Sequence, residues 1–209
     1  HKLRHKAAKE ALRDAGLDDF ADNQRVGVII GSCVGGVLSV EKYHRHGKDA
    51  LEIPKMPIAA IASQVAECCH AGGIVTNVAN ACAAGTLSIA MACDLIRAGK
   101  ADVVIAGGAD SFASVPYSGF LSLHALDENG CSPFNHCNGI TLGEGAGVVI
   151  VESYEHAQKR SAKQYCEVLG SGCTSDAHHI TAPREDGLCL IEAMDRAVRN
   201  SGIAKSDIG

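Results

Sequence analysis

Residues 77–110 read NVANACAAGTLSIAMACDLIRAGKADVVIAGGAD, and this stretch decides the fold. Thr76–Ala81 predicts a strand, and Cys82 leads it into a small-residue helix over about 83–98 that Gly99 stops. Val103–Ala106 predicts a buried strand that ends in Gly107-Gly108. A strand, a helix and a second strand in that order are the alternation in which helices cover a largely parallel sheet.

The same alternation extends in both directions. Leu3, Ala7, Ala8, Ala11, Leu12 and Ala15 recur at helical spacing, with Gly16 placed as a left-handed cap. Residues 25–30 (RVGVII) predict a buried strand running into the turn Gly31-Ser32-Cys33-Val34-Gly35-Gly36. Residues 43–57, polar and with two prolines, read as an excursion loop, and a helical pattern resumes over 58–67. GAGVVIV (145–151) predicts another strand, followed by a short helix that Ser153 caps. Tyr165–Gly172 reads as a further strand, and 187–200 as an amphipathic helix closed by Gly202. The expected fold class is α/β, with helices over a largely parallel sheet. The first helix has no strand before it, and the chain stops at Gly209 where another strand is expected. Both ends therefore read as those of a fragment with unpaired sheet edges.

Composition excludes several classes. With 46% hydrophobic and 21% charged residues, a chain of 209 supports a buried core. A formal charge of −5 argues against a nucleic-acid surface. No apolar run approaches the roughly 20 residues of a membrane span, and the opening HKLRHKAAKE has no secretory pattern. Ten irregularly spaced cysteines in such a chain read as reduced thiols of a cytoplasmic protein rather than a disulfide framework.

Asn80-Ala81-Cys82-Ala83-Ala84-Gly85 carries the most chemistry. A strand-to-helix turn with small neighbours exposes a nucleophile and admits a substrate carbonyl. The mouth of a helix favours thiolate and offers N–H groups to a developing oxyanion. Spacing alone leaves Cys82 either a nucleophile or a small buried hydrophobe.

The surrounding motifs supply a resemblance. Gly99–Gly108 fits G-x-A-D-x-x-x-A-G-G, Gly143–Gly147 fits G-[DE]-G-A-G, and Glu152–Ala157 fits E-x-x-E-H-A. Residues 175–181 fit S-D-A-x-H-x-T. In this order, over most of the chain, they resemble the β-ketoacyl-[acyl-carrier-protein] synthases, elongating condensing enzymes of the thiolase-like superfamily. The resemblance implies a layered αβα fold with a largely parallel mixed sheet, incomplete without the carboxy-terminal half. It makes 1–209 an amino-terminal synthase domain lacking its first strand and second half. It also implies that Cys82 takes an acyl group from the phosphopantetheine arm of acyl-carrier protein, without a cofactor of its own. Malonyl-carrier protein then loses carbon dioxide, and its carbanion attacks the thioester.

Further roles come from the resemblance alone. Val34 matches a residue at the closed end of the acyl pocket, and Phe120 an aromatic that lines it. Met56 and Pro57 fall near residues that reach across a homodimer interface; ordinary core packing is the competing reading for all four. Asp176, His179 and Thr181 match a substrate-gating loop, against which stands a plain solvated loop.

Three departures qualify the match. The two histidines and the lysine of the family's chemistry lie in its second half, the first in an H-G-T motif expected just past Gly209. The chain alone is therefore expected to hold the nucleophile without completing a condensation. Glu67–Gly73 is shorter than the corresponding segment near the dimer interface. Residues 132–139, SPFNHCNG, keep Pro133, Phe134 and Gly139 of an R-P-F-D pattern but not its charges.

Cys68-Cys69-His70 and Cys131…His136-Cys137 lack the paired spacing of structural zinc sites. The turn at 31–36 lacks G-x-G-x-x-G spacing for a dinucleotide. Of His178 and His179, adjacent residues point apart, so at most one lines a site. Two functions compete with acyl transfer: a non-catalytic, chain-length-setting partner subunit, which typically lacks the cysteine, and a cysteine hydrolase pairing Cys82 with His179.

Overall fold

Four strands form one sheet in the order β2-β1-β3-β4. They are β1 (Val26–Gly31), β2 (Val75–Val78), β3 (Val103–Asp110) and β4 (Gly145–Glu152). The computed structural model describes residues 2–17, 20, 22–47, 52–136, 138–179 and 181–209. β1 pairs in parallel with β2 and β3, while β4 returns antiparallel on β3, so the sheet is mixed, as the resemblance implies.

Alternation along the central strands builds two cores. Val26, Val28 and Ile30 of β1 point one way with Val103 and Ile105 of β3. They meet Ala8 and Leu12 of α1 (Lys2–Asp14) and Ile61, Val65 and Ala66 of α3 (Ala60–Cys69). Ile29, Val104 and Ala106 point the other way, onto Ala84 and Ala92 of α4 (Ala84–Arg97). All six β1 residues are buried because both faces of the strand are covered. The three-layer αβα arrangement follows from that period of two.

Gly99 and Gly202 adopt φ of 67° and 72° and end their helices as expected. Ser153 Oγ accepts from His156 N at 3.2 Å and caps α6 (Tyr154–Lys159).

Two helices lie where the sequence reading had none. α2 (Val37–His46) occupies the start of the expected excursion loop, of which residues 48–51 lie outside the described set. Its buried positions include Ser39 and Glu41, so its inward face is polar and escapes a hydrophobic count. α5 (Ser114–Ser122) contains Pro116 and Gly119, yet Pro116 sits in the first turn, where its missing N–H costs nothing. Glu41 Oε1 accepts from Val115 N at 2.7 Å and satisfies that helix start from across the fold. Burial pushes the Glu41 carboxyl up, but the Val115 and Ser114 amides and Arg45 bring it below its ordinary value.

The chain divides into two units, 1–162 and 163–209. Within the second, Tyr165–Gly172 belongs to no strand of the sheet among the described residues, which corrects the expected strand. Its neighbour is α7 (Leu188–Ser201) instead. A Cβ on Gly170 would stand 2.3 Å from the Ala197 carbonyl oxygen, so the backbone lies directly on the helix. Asn200 Nδ2 donates to Ser171 O at 2.9 Å and Arg196 Nη1 to Cys173 O at 3.0 Å, supplying side-chain donors where a strand would supply amides.

Candidate active site

The carboxyl ends of β1, β2 and β3 lie side by side and carry the candidate chemistry. β2 ends at Val78, and residues 81–83 form a single 3₁₀ turn before α4. Ala81, immediately before Cys82, adopts a left-handed φ of 45°, a strained turn of the kind that presents a nucleophile. Cys82 is exposed in this chain. Ala83 N donates to Asn80 O at 3.1 Å, and Ala84 N donates to Ala81 O. Among the described residues nothing accepts the Cys82 N–H, so it is available to an oxygen on a group bound at the sulfur.

Two contacts fix this turn to the sheet. A Cβ on Gly31 would meet Ala84 C and O at 2.3 Å, so only glycine lets the end of β1 touch the start of α4. Deeper in the helix, the fully buried Ser88 receives Gly107 N at 3.0 Å. Its hydroxyl lies 2.7 Å from Gly107 O and 2.6 Å from Gly85 O, either of which can take its single proton. One hydroxyl thus ties α4 to β3.

Beside Cys82 stands the turn that follows β1. The Asp110 carboxylate, at the end of β3, organises it. Ser32 Oγ donates to Oδ1 at 2.6 Å, Val34 N donates to Oδ1 at 3.0 Å, and Cys33 N lies 3.0 Å from both carboxylate oxygens. Gly35 N donates to Ser32 Oγ at 2.8 Å, completing the loop. The Cys33 thiol is pushed up by partial burial first, then by Asp110 and by Cys82.

Val34, Phe120, Met56 and Pro57 belong to the first unit with Cys82. Val34 is half-buried in the Asp110-held turn, on the same rim as Cys82. Phe120 is half-buried on α5, whose start is set by Glu41 of α2 and by Arg45 Nη2, which donates to Ser114 Oγ at 2.5 Å. Met56 is half-buried and Pro57 exposed. The Met56 carbonyl oxygen lies 2.0 Å from where a Gly36 Cβ would be, so this segment packs on the turn of its own chain.

Asp176, His179 and Thr181 belong to the second unit. Asp176 Oδ2 accepts from Arg184 N at 2.9 Å, and His179 Nδ1 accepts from Thr181 N at 3.1 Å and Ala182 N at 3.0 Å. Ile180 of this loop, and Cys137 of the Cys131…Cys137 group, lie outside the described residues. Sequence reasoning missed Asp110, Cys33 and Ser88. An acidic residue directly after the β3 glycines was the available signal for the first; the other two have none in the sequence.

Comparison with known proteins gives the family. Residues 1–157 match the family model of the β-ketoacyl synthase amino-terminal domain. The chain belongs to the β-ketoacyl synthase family. It is 36% identical over 222 aligned residues to 3-oxoacyl-[acyl-carrier-protein] synthase 2 of Staphylococcus aureus (strain N315), an alignment covering 97% of this chain and 52% of that protein. A β-ketoacyl synthase crystal structure from Burkholderia phymatum superposes with a TM-score of 0.87 at 28% identity, covering 98% of this chain and 53% of that one. A type II polyketide ketosynthase, solved with its acyl-carrier protein and bound to a hexaketide, superposes at 0.85 and 28% identity, over 96% and 54% of the two chains. The chain thus spans about half the length of the synthases it matches. The thiolase-like layered fold expected from the resemblance is the one observed.

Proposed function

We propose that Cys82 accepts an acyl group as a thioester and that this chain forms the acyl-accepting part of a β-ketoacyl-[acyl-carrier-protein] synthase. The exposed sulfur beside an unclaimed N–H is the observation that carries this reading. The Cys82 thiolate attacks the carbonyl carbon of an acyl thioester on the phosphopantetheine arm of acyl-carrier protein. The resulting oxyanion accepts the Cys82 N–H, and the carrier thiolate leaves. In the complete enzyme, a homodimer of the cytoplasm, malonyl-carrier protein is decarboxylated and its carbanion displaces the cysteine sulfur. The 209-residue chain alone accepts the acyl group without forming β-ketoacyl product. Val34 and Phe120 line the acyl chain, and Asp176, His179 and Thr181 belong to a gating loop.

The test is intact-mass analysis of the chain after incubation with acyl-carrier-protein thioesters of several chain lengths. One acyl group on Cys82, released by hydroxylamine and absent in Cys82→Ala, is the expected result. A Cys82 that alkylates readily yet never acylates would refute it. A chain that hydrolyses the thioesters steadily would point to the hydrolase reading instead. The presence of Cys82 favours this function over a non-catalytic partner subunit.

A further inference from the structure

We infer that Cys68 and Cys69 form a vicinal dithiol site that captures a trivalent arsenical carrying one organic group, with both sulfurs bound to the same arsenic atom. The inference is independent of acyl transfer and of the rim that holds Cys82.

The two residues are the last of α3, and His70, left-handed at φ 56°, ends the helix directly after them. Successive helical side chains ordinarily diverge by about 100° around the axis. Here the two Sγ atoms nevertheless meet at 3.6 Å. Cys69 is buried in the core shared by α1, α3 and the sheet, and Cys68 is half-buried against it. The pair thus has one sulfur in apolar packing and one within reach of solvent.

That separation selects the chemistry. Adjacent Cα atoms stand about 3.8 Å apart, closer than the roughly 4.4–6.8 Å that a disulfide spans. Bonding the two sulfurs to each other would therefore distort the backbone. A single atom bound to both at about 2.3 Å, the length of a zinc–thiolate bond, holds them roughly 3.3–3.8 Å apart at angles of about 90–110°. The observed distance falls in that range. Among the described residues no third His, Cys, Asp or Glu joins them in a group that could hold a metal ion. Zinc takes four ligands, whereas arsenic(III) that already carries an organic group is complete with two sulfurs. Burial first, and then Cys68, push the Cys69 thiol up, so it reacts from its protonated form. An arsenical consumes that proton and leaves an uncharged product, which apolar surroundings tolerate.

The more open Cys68 sulfur adds to the arsenic of R–As=O, and its proton passes to the oxygen. The Cys69 sulfur then bonds to the same arsenic. Hydroxide leaves with the As–O electron pair and takes the Cys69 proton, so one water is released. Arsenic stays trivalent, and nothing is oxidised or reduced. The second step is intramolecular and runs at the effective concentration of a linked group.

The experiment treats the 209-residue chain with one equivalent of phenylarsine oxide, alkylates the remaining thiols and maps the peptides. The intact mass should gain one phenylarsenic unit and lose two hydrogens. Cys68 and Cys69 should escape alkylation while Cys82 is labelled. Dimercaptopropanol should release the arsenical, and glutathione at the same thiol concentration should not. Cys68→Ser should weaken retention at this site by at least about 100-fold, the loss of one of two linked contacts. A melting curve checks that this variant folds, and the wild-type map decides by itself if it does not. The arsenical found on other thiols, with Cys68 and Cys69 alkylated, would overturn the inference, as would equal protection of the pair by zinc ion. Acylation of Cys82 is read separately, so either proposal can fail while the other stands.

Discussion

Gly31 and Ala84 meet backbone to backbone: a side-chain carbon on the glycine would lie 2.3 Å from the carbonyl carbon and oxygen of the alanine. The contact sets how far the Cys82 turn stands above the sheet, since Ala84 is the first residue of α4.

Gly31→Ala should therefore do more than a typical strand substitution. Ala84 offers backbone rather than a flexible side chain, so β1 and α4 must separate. We expect a loss of about 2–3 kcal/mol in urea denaturation and a changed rate of Cys82 alkylation. A stable variant with unchanged alkylation would show that the contact does not set the turn.

Asp110→Ala strips the acceptor from Ser32 Oγ and from the Cys33 and Val34 amides. The expected cost is about 2 kcal/mol, with much faster hydrogen exchange at those two amides. Asp110→Asn should recover only part of this, because its amide group turns a donor toward the same N–H groups.

Ser88→Ala leaves the buried Gly107 N–H without its acceptor. Thermal denaturation should report a loss of about 1–3 kcal/mol, the cost of an unsatisfied buried amide. Exchange at Gly107 N should accelerate while the remaining β3 amides stay protected.

Acid should expose the role of Glu152. Burial pushes its carboxyl up, but hydrogen bonds from Arg160 and His156 more than reverse that and hold it below the usual range. Arg160 Nε and Nη2 each donate to it at 2.6 Å, and Nη1 donates to Ala15 O at 2.6 Å. A carboxylate with a lower pKa folded than unfolded contributes stability above the unfolded value of about 4.3. That contribution is lost as pH falls through the lower folded value. The stability gap between wild type and Glu152→Gln should thus be widest near neutrality and narrow on acidification. Arg160→Ala should cost about 2–3 kcal/mol at neutral pH.

Particular residues show what the sequence made legible. β1, β3 and α4 were readable because continuous apolar runs and helical spacing record burial directly, as in Val26–Gly31 and Ala84–Arg97. α2 was not, because Ser39 and Glu41 are buried through long-range partners, and such residues look like loop in a hydrophobic pattern. Tyr165–Gly172 has strand composition, but ladder pairing depends on what lies alongside, and here that is a helix. At the rim, the strand-to-helix turn around Cys82 was legible from its small neighbours. Asp110 was not, because its importance arises only when the ends of β1 and β3 fold into register.

The sheet also keeps two kinds of work far apart. Arg25 pairs with Asp102 at 2.6 Å where β1 and β3 begin, and Glu152 pairs with Arg160 where β4 ends, opposite Val103. The thiols of Cys33 and Cys82 stand at the other pole, about 25 Å away along the eight residues of β3. Substitutions at the two poles share no partner, so their free energies should simply add. A protein engineer can harden the ion-pair pole against heat and leave the Cys82 chemistry untouched.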